Sequence, residues 1–146
     1  MTFDSSTLKV DERDRGMPDA VSRPYWDGLR NGELKLQRCI ECGKPQFYPR
    51  ALCMHCAGDV EWFTASGRGT VYSFSIVRFG FVEPFKSLAP YVLAIVELDE
   101  GPRMLTNIAG SPPEQVTIGA KARIEPVIVD DDSVIPFWIL EDQHES

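Results

Sequence analysis

The sequence lacks an excess of basic residues, and its second half is acidic. The 146 residues carry 15 Lys and Arg against 22 Asp and Glu, which gives a net charge of −7. Residues 1–59 hold nine of each sign, so residues 60–146 hold six basic and thirteen acidic side chains. Because nucleic-acid binding draws most of its affinity from phosphate neutralisation, this distribution argues against a nucleic-acid-binding role.

An export signal and a membrane span are also missing. The opening Met-Thr-Phe-Asp-Ser-Ser has no cationic flank and no apolar segment of the kind that signal peptides carry. No apolar window approaches the roughly 18 residues that cross a bilayer. We therefore expect a cytoplasmic protein.

Motifs for independent catalysis are absent as well. The chain has two histidines: His55 lies between two cysteines, and His144 is the third residue from the end of the sequence. There is no Gly-x-Ser-x-Gly elbow, no His-Glu-x-x-His and no Walker lysine. The acidic run at residues 130–132 is expected to be a solvated turn. We assign no catalytic residue and expect no turnover by this chain alone.

Cysteine is scarce, but its four residues are patterned. Two CxxC pairs are separated by ten residues, and they comprise Cys39, Cys42, Cys53 and Cys56. Zn²⁺ favours four soft ligands in a tetrahedron, and a CxxC turn directs two thiolates at one metal. A disulfide framework, a redox CxxC and an iron site are the alternatives. We predict a structural zinc ribbon without an open coordination position, in which Gly43 supplies the positive φ of one knuckle and Gly58 follows the second pair.

The chain before the cysteines divides into an arm and a short helix. Residues 1–17 are polar and are predicted to be a flexible arm, with ordering on a partner as the alternative. Residues 18–59 are predicted to hold the helix and the zinc ribbon. Ser22 can cap this helix, and Pro24 suits its first turn.

Two aromatic residues lie on the predicted helix. Tyr25, Trp26 and Leu29 fall on one side of it. A helix of about ten residues cannot bury two large aromatic rings by itself. Tyr25 and Trp26 therefore either cover an edge of the ribbon or dock on a partner.

Residues 60–146 change to a strand pattern. Five segments alternate or run apolar, at residues 67–79, 90–99, 103–109, 118–129 and 134–140. Gly67 and Gly69 precede a strand rather than a helix, so we interpret them as a bend at a barrel corner and not as a phosphate loop. The predicted fold is mainly β: an N-terminal helix and zinc ribbon, then a five-stranded Greek-key barrel of the OB type. The short linker predicts two modules packed together.

The loop between the first two barrel strands is unusually apolar. Phe79, Phe81 and Phe85 lie in it without the alternation that would bury them. They predict either a lid over the barrel end or an exposed patch for a partner or ligand, and we favour the patch. Arg78 and Lys86 flank the loop and are the cations that we predict near a coenzyme A phosphate.

The order of the motifs resembles a known family. The sequence has a Tyr/Trp helix, Leu-x-Leu-Gln-Arg-Cys-x-x-Cys-Gly, Tyr-Pro-Arg and Cys-x-x-Cys, then Gly-x-Gly-x-Val-Tyr-Ser and Val-Glu-Leu-Asp-Glu-Gly. Over residues 20–141 this order is similar to the rubredoxin-like zinc-ribbon and OB-fold family catalogued as domain of unknown function 35. The resemblance implies that the four cysteines bind zinc, and it supplies no catalytic residue.

The resemblance also implies a function. Members of that family are accessory proteins encoded beside thiolase-like enzymes, aldolases or hydratases that act on acyl-CoA thioesters. The first hypothesis is therefore a non-catalytic subunit that binds such an enzyme and helps form or shield its acyl-CoA site. A stand-alone acyl-CoA or acyl-chain binding module is the second hypothesis, and an OB fold for single-stranded nucleic acid is the third.

Overall fold

A computed structural model describes residues 19–80, 85–131 and 133–141. Within these residues, two helices and eight strands follow one another, with a 3₁₀ turn at Pro113–Gln115 in the connector before β7. Their bounds are α1 Arg23–Arg30, β1 Lys35–Cys39, β2 Pro45–Gln46, β3 Val60–Thr64, β4 Arg68–Val77, α2 Phe85–Leu88, β5 Tyr91–Leu98, β6 Arg103–Ala109, β7 Lys121–Asp130 and β8 Ser133–Leu140. The predicted arm at residues 1–17, Phe81 and His144 lie outside the described residues.

The last five strands close into a barrel in the order β4-β5-β6-β8-β7. β6 and β8 are parallel, and the other pairs are antiparallel. Burial alternates strictly along most of β5, with even-numbered residues inside, as a half-buried strand requires. The predicted five-stranded OB barrel is confirmed, and so are its five strand segments.

The two glycines at the start of β4 have separate roles. Gly67 has φ of +76°, a conformation that glycine adopts without strain. A Cβ on Gly69 would lie 2.6 Å from the carbonyl oxygen of Glu97 on β5. The pair therefore allows a bend and a close approach of two strands, which agrees with its interpretation as a barrel corner.

A second, three-stranded sheet has the order β2-β1-β3. β3 pairs with β1 along its whole length, from Lys35 opposite Thr64 to Cys39 opposite Val60. The predicted division placed residues 60–64 with the barrel, yet their strand completes the ribbon sheet. We therefore propose that the domain boundary lies between β3 and β4.

Helix α1 joins the two sheets. Tyr25 and Leu29 are buried in one continuous core with Leu36 of β1 and with Val96 and Trp138 of the barrel. Two modules packed together were predicted, and the shared core confirms that packing.

The ends of α1 are fixed by polar contacts. The guanidinium of Arg30 donates to the carbonyl oxygens of Asp130 and Asp131, in the β7–β8 turn. Ser22 is the N-cap residue, but its side chain makes no capping bond to the helix. Instead its hydroxyl donates to a carboxylate oxygen of Asp19 at 2.8 Å, and its N–H donates to the same oxygen at 2.7 Å.

Truncating the buried helix should destabilise the whole fold. We expect Leu29→Ala to lower the free energy of unfolding by about 2–5 kcal/mol, because Leu29 is 1% exposed and the cavity would lie between sheets. Leu105→Ala is the matched control, since Leu105 is 65% exposed on the barrel surface. Urea unfolding measures both variants, and equal losses would contradict a shared core.

Candidate metal centre and partner-facing residues

The four cysteines lie in two knuckles with the same backbone pattern. In the first, the N–H of Gly43 donates to the carbonyl of Cys39, and the N–H of Cys39 donates to the carbonyl of Lys44. In the second, the N–H of Ala57 donates to Cys53, and the N–H of Cys53 donates to Gly58. Donors and acceptors have the same spacing in both knuckles. The two pairs of thiols face each other.

The glycine prediction is half right. Gly43 has φ of +75°, as a tight knuckle needs, but Ala57 takes the equivalent position in the second knuckle with φ of 63°. Gly58 has a different role, because a Cβ there would lie 3.2 Å from the sulfur of Cys39. Gly58 thus leaves space beside a thiolate, whereas Ala57 holds a conformation that alanine rarely adopts.

Backbone amides point at the sulfur atoms. The N–H groups of Glu41 and Cys42 donate to Sγ of Cys39, each at 3.3 Å, and the N–H of His55 donates to Sγ of Cys53 at 3.3 Å. The bond from Cys42 is the largest cause that lowers the pKa of the Cys39 thiol to about 7. Because a metal binds the thiolate form, these amides prepare the sulfurs for a cation.

The sulfur positions fit a tetrahedral metal. All four Sγ atoms lie within 4.8 Å of one another, with 3.5 Å between Cys39 and Cys56 and 3.7 Å between Cys42 and Cys53. Zn–S bonds of about 2.3 Å in a tetrahedron place sulfurs about 3.8 Å apart. The four thiolates would therefore hold zinc with protein ligands at every position, which is a structural site.

Two buried glutamines hold the second knuckle against β1, and nothing in the sequence pattern pointed to them. The side-chain oxygen of Gln37 accepts from Nε2 of Gln46 at 2.7 Å and from the N–H of Arg50 at 2.8 Å, while its nitrogen donates to the carbonyl of Arg50. The oxygen of Gln46 accepts from the N–H of Met54. Both glutamines are 2% exposed. The hydrogen bonds of these side chains connect β1 to the segment that leads to Cys53, in place of backbone strand pairing.

The predicted partner residues divide between core and surface. Tyr25 is 2% exposed, so its assignment to a partner interface is corrected: it is a core residue. Its ring packs edge-on against Trp26, Phe47 and Tyr48, and burial raises its pKa. Trp26 is half-buried against the same core, so it keeps part of its surface free.

The β4–β5 loop contains an exposed aromatic residue and a leucine that packs on the barrel. Phe79 is 80% exposed. Leu88, at the end of α2, packs against the buried pair Val127 and Phe137 at one end of the barrel. Phe85 lies in α2, and Phe81 is outside the described residues. The exposure of Phe79 agrees with the patch, and for Phe81 and Phe85 the patch stays a prediction.

The two predicted cations do not belong to the lining of the open cavity near the β4–β5 loop. Arg78 and Lys86 are both exposed. The cavity has a volume of about 130 Å³, and its lining comes from α2, the start of β5, the end of β6, the connector and β8: Leu88, Pro90, Tyr91, Val92, Asn107, Ile108, Ala109, Gly110, Ser111, Pro113 and Phe137. No described helix has the length and apolarity needed to cross a membrane.

We expect the purified chain to carry one zinc ion. Cys56→Ser should lower the zinc content measured by atomic emission and bleach the thiolate bands of the cobalt-substituted protein, because one of four ligands is lost. His55→Ala is the matched control in the same knuckle, since its side chain is outside the sulfur cluster. Iron at this stoichiometry, or equal metal loss in both variants, would contradict the assignment.

The glutamine pair should matter even with metal bound. Gln37→Leu removes the acceptor of the Arg50 N–H and leaves Nε2 of Gln46 with only its 3.3 Å bond to the carbonyl of Leu52, so we expect the free energy of unfolding to fall by about 2–3 kcal/mol. Gln115→Leu, at an exposed position, should change it by less than about 0.5 kcal/mol. Denaturant unfolding with excess zinc measures both, and similar values would show that the pair is dispensable.

Two family profiles match consecutive parts of the chain. Residues 26–61 match the rubredoxin-like zinc ribbon domain of ChsH2, and residues 62–126 match its C-terminal OB-fold domain. The boundary between the profiles falls within β3, close to the transition from the ribbon sheet to the barrel.

Curated relatives extend this similarity. A DUF35 domain-containing scaffold protein of Pyrococcus furiosus is 34% identical over 75% of this chain and 79% of its own length. A probable enoyl-CoA hydratase alpha subunit of Thermomonospora curvata is 32% identical over 78% of this chain but only 35% of its own length. The benzoylsuccinyl-CoA thiolase subunit BbsA of Geobacter metallireducens is 36% identical over 64% of this chain and 60% of its own. The chain thus spans about a third of the hydratase subunit.

A solved structure has the same fold. It is titled Ltp2-ChsH2(DUF35) aldolase, and the match has a TM-score of 0.76 at 28% identity, covering 86% of this chain and 98% of the matched chain. The metal-binding cysteines, the barrel topology, the profiles and the relatives agree, and this chain belongs to the DUF35 family of zinc-ribbon and OB-fold proteins.

Proposed function

We propose that this chain is a non-catalytic subunit that binds a thiolase- or aldolase-type enzyme and helps form or shield its acyl-CoA site. One observation carries the proposal. The solved structure named Ltp2-ChsH2(DUF35) aldolase contains a chain that this protein matches over 98% of its length. The similarity to a benzoylsuccinyl-CoA thiolase subunit and to a hydratase alpha subunit supports an acyl-CoA enzyme as the partner.

The metal site supports a structural rather than a catalytic role. Four cysteine sulfurs fill a tetrahedral set, so bound zinc would have no position for a substrate or an activated water. Zinc supplies a cross-link between the two knuckles when it is bound. Reduced thiolates of this kind persist in a reducing compartment, which supports a cytoplasmic location.

The outer face of the barrel supports a protein partner. Tyr72, Leu93 and Leu105 are exposed on the sheet formed by β4, β5 and β6. Arg103 stacks over the ring of Tyr72 at 3.8 Å and pairs with Glu97 at 3.3 Å. OB folds bind oligonucleotides on this face, but here Arg103 is paired with an acid, and exposed apolar side chains lie on the same strands. Such a surface suits another protein better than a phosphate backbone.

Phe79 and Trp26 are the aromatic residues that we retain for the partner interface. The ring of Phe79 is almost fully accessible beside the barrel, and Trp26 keeps part of its surface free on α1. Large aromatic side chains give more binding energy than most residues when a partner covers them. Arg78 and Lys86 remain the cations proposed for coenzyme A phosphates.

Complex formation tests the proposal directly. We expect the chain to co-purify with the thiolase or aldolase encoded beside it, and the pair to have an activity that this chain lacks alone. Phe79→Ser should raise the dissociation constant of the pair about tenfold or more, because a desolvated aromatic anchor is lost. Ile118→Ser, at an equally exposed aliphatic residue in the β6–β7 connector, is the matched control.

Two results would oppose this function. Tight acyl-CoA binding by the isolated chain, with no complex at micromolar concentrations, would favour the stand-alone binding module. Salt-dependent binding to single-stranded DNA would favour the nucleic-acid hypothesis.

A further inference from the structure

The cavity at the barrel end has the size of a small hydrocarbon group. Most of its wall is apolar, with Leu88, Val92, Ile108 and Phe137 among the lining residues. An apolar protein cavity of about 150 Å³ holds a benzene molecule. A cavity of about 130 Å³ therefore admits a branched or cyclic group of roughly five or six carbon atoms.

Two exposed cations belong to segments that border this cavity. Val77 of β4 is paired with the cavity residue Tyr91 of β5, and Arg78 follows Val77. Strand geometry then puts the Cα atoms of Arg78 and Tyr91 roughly 6 Å apart. Lys86 precedes the cavity residue Leu88 by two positions in α2. Within the part of the chain that the structure describes, neither cation has an ion-pair partner.

Two polar side chains are part of the same wall. Asn107 donates from its side-chain nitrogen to the carbonyl of Val92 at 3.1 Å, which fixes the amide in place. Ser111 belongs to the connector after β6 and is half-buried. The cavity thus combines an apolar interior, hydrogen-bonding groups in its lining and positive charge beside it.

We propose that the cavity binds the pantoate end of coenzyme A, with the pyrophosphate at Arg78 and Lys86. This inference rests on the proposed function, which supplies a coenzyme A thioester as the ligand. In coenzyme A the carbon that bears two methyl groups is three bonds from phosphorus, so an apolar group and two phosphates lie side by side. A hydroxyl and an amide follow that carbon, and Asn107 and Ser111 offer them hydrogen bonds.

The acyl group is the other apolar candidate, and the position of the cations disfavours it. The thioester lies at the far end of the pantetheine arm from the pyrophosphate. A ligand whose phosphates contact Arg78 and Lys86 therefore cannot place its acyl group in a cavity so close to them. The proposed subsite therefore recognises coenzyme A itself rather than the acyl chain. The pantetheine arm then extends away from the barrel.

Titrations of the zinc-loaded, ¹⁵N-labelled full chain followed by amide shifts test this assignment. We expect free coenzyme A, acetyl-CoA and octanoyl-CoA to bind within about twofold of one another and to shift the amides of Tyr91, Ile108 and Ser111. Ser111→Trp, which fills the cavity, should weaken all three ligands about tenfold or more. Thr117→Trp is the matched control in the same connector, because Thr117 is exposed and lies outside the lining.

A second variant keeps the test valid if the tryptophan disturbs folding. The double change Arg78→Gln and Lys86→Gln alters two exposed side chains and should weaken coenzyme A binding about tenfold, while pantetheine, which lacks phosphate, should bind as before.

Three outcomes would overturn the subsite. They are an affinity that rises with acyl length, a Ser111→Trp chain that binds normally, and no saturable shift at millimolar coenzyme A. Co-purification with the partner enzyme is measured without coenzyme A, so a chain that joins its partner but fails these titrations refutes the subsite alone.

Discussion

The fold depends on the burial of one short helix between two sheets. Tyr25 and Leu29 lie one turn apart on α1, and both are inaccessible to solvent. Eight residues do not form a stable helix in water on their own, and three short strands cannot enclose a core. The barrel supplies the apolar surface that the helix and the ribbon lack. Each part therefore folds against the other two, and their relative orientation follows from the packing.

The metal centre acts within this frame. Zinc held by the four thiolates would link the two knuckles, while Gln37 and Gln46 connect the segment before Cys53 to β1. The cross-link and the glutamines thus act on the same segment of chain. Bound zinc would fix the outer half of the ribbon, whose inner half packs with α1 on the barrel.

Local patterns in the sequence predicted the metal ligands and the barrel strands. Cysteine spacing is a property of one turn of chain, and strand alternation is a property of a few residues, so both can be read without knowing the fold. The positive φ of Gly67 is local in the same way. These features were predicted correctly because no distant contact decides them.

Features decided by distant contacts were not predictable. β3 looks like any barrel strand, and only its pairing with β1, about 25 residues earlier, assigns it to the ribbon. Tyr25 and Trp26 are neighbours on α1, and a helix with apolar groups on adjacent positions does not reveal which one faces a core contributed by another sheet. Gln37 and Gln46 look like surface residues because glutamine usually is one.

The surface outside the core indicates where function lies. Leu88 has a structural role, because it closes one end of the barrel against Val127 and Phe137. Phe79 lies in the same loop and covers no core, and Leu105 is equally exposed on the sheet that the loop connects. A single exposed apolar side chain is ordinary in a folded protein. Here exposed apolar side chains lie both in a loop and on the adjoining face of the sheet, and together they form a surface that water solvates poorly. Since the core is complete without these residues, packing within the chain does not account for them. We therefore keep them as the proposed contact surface for another molecule.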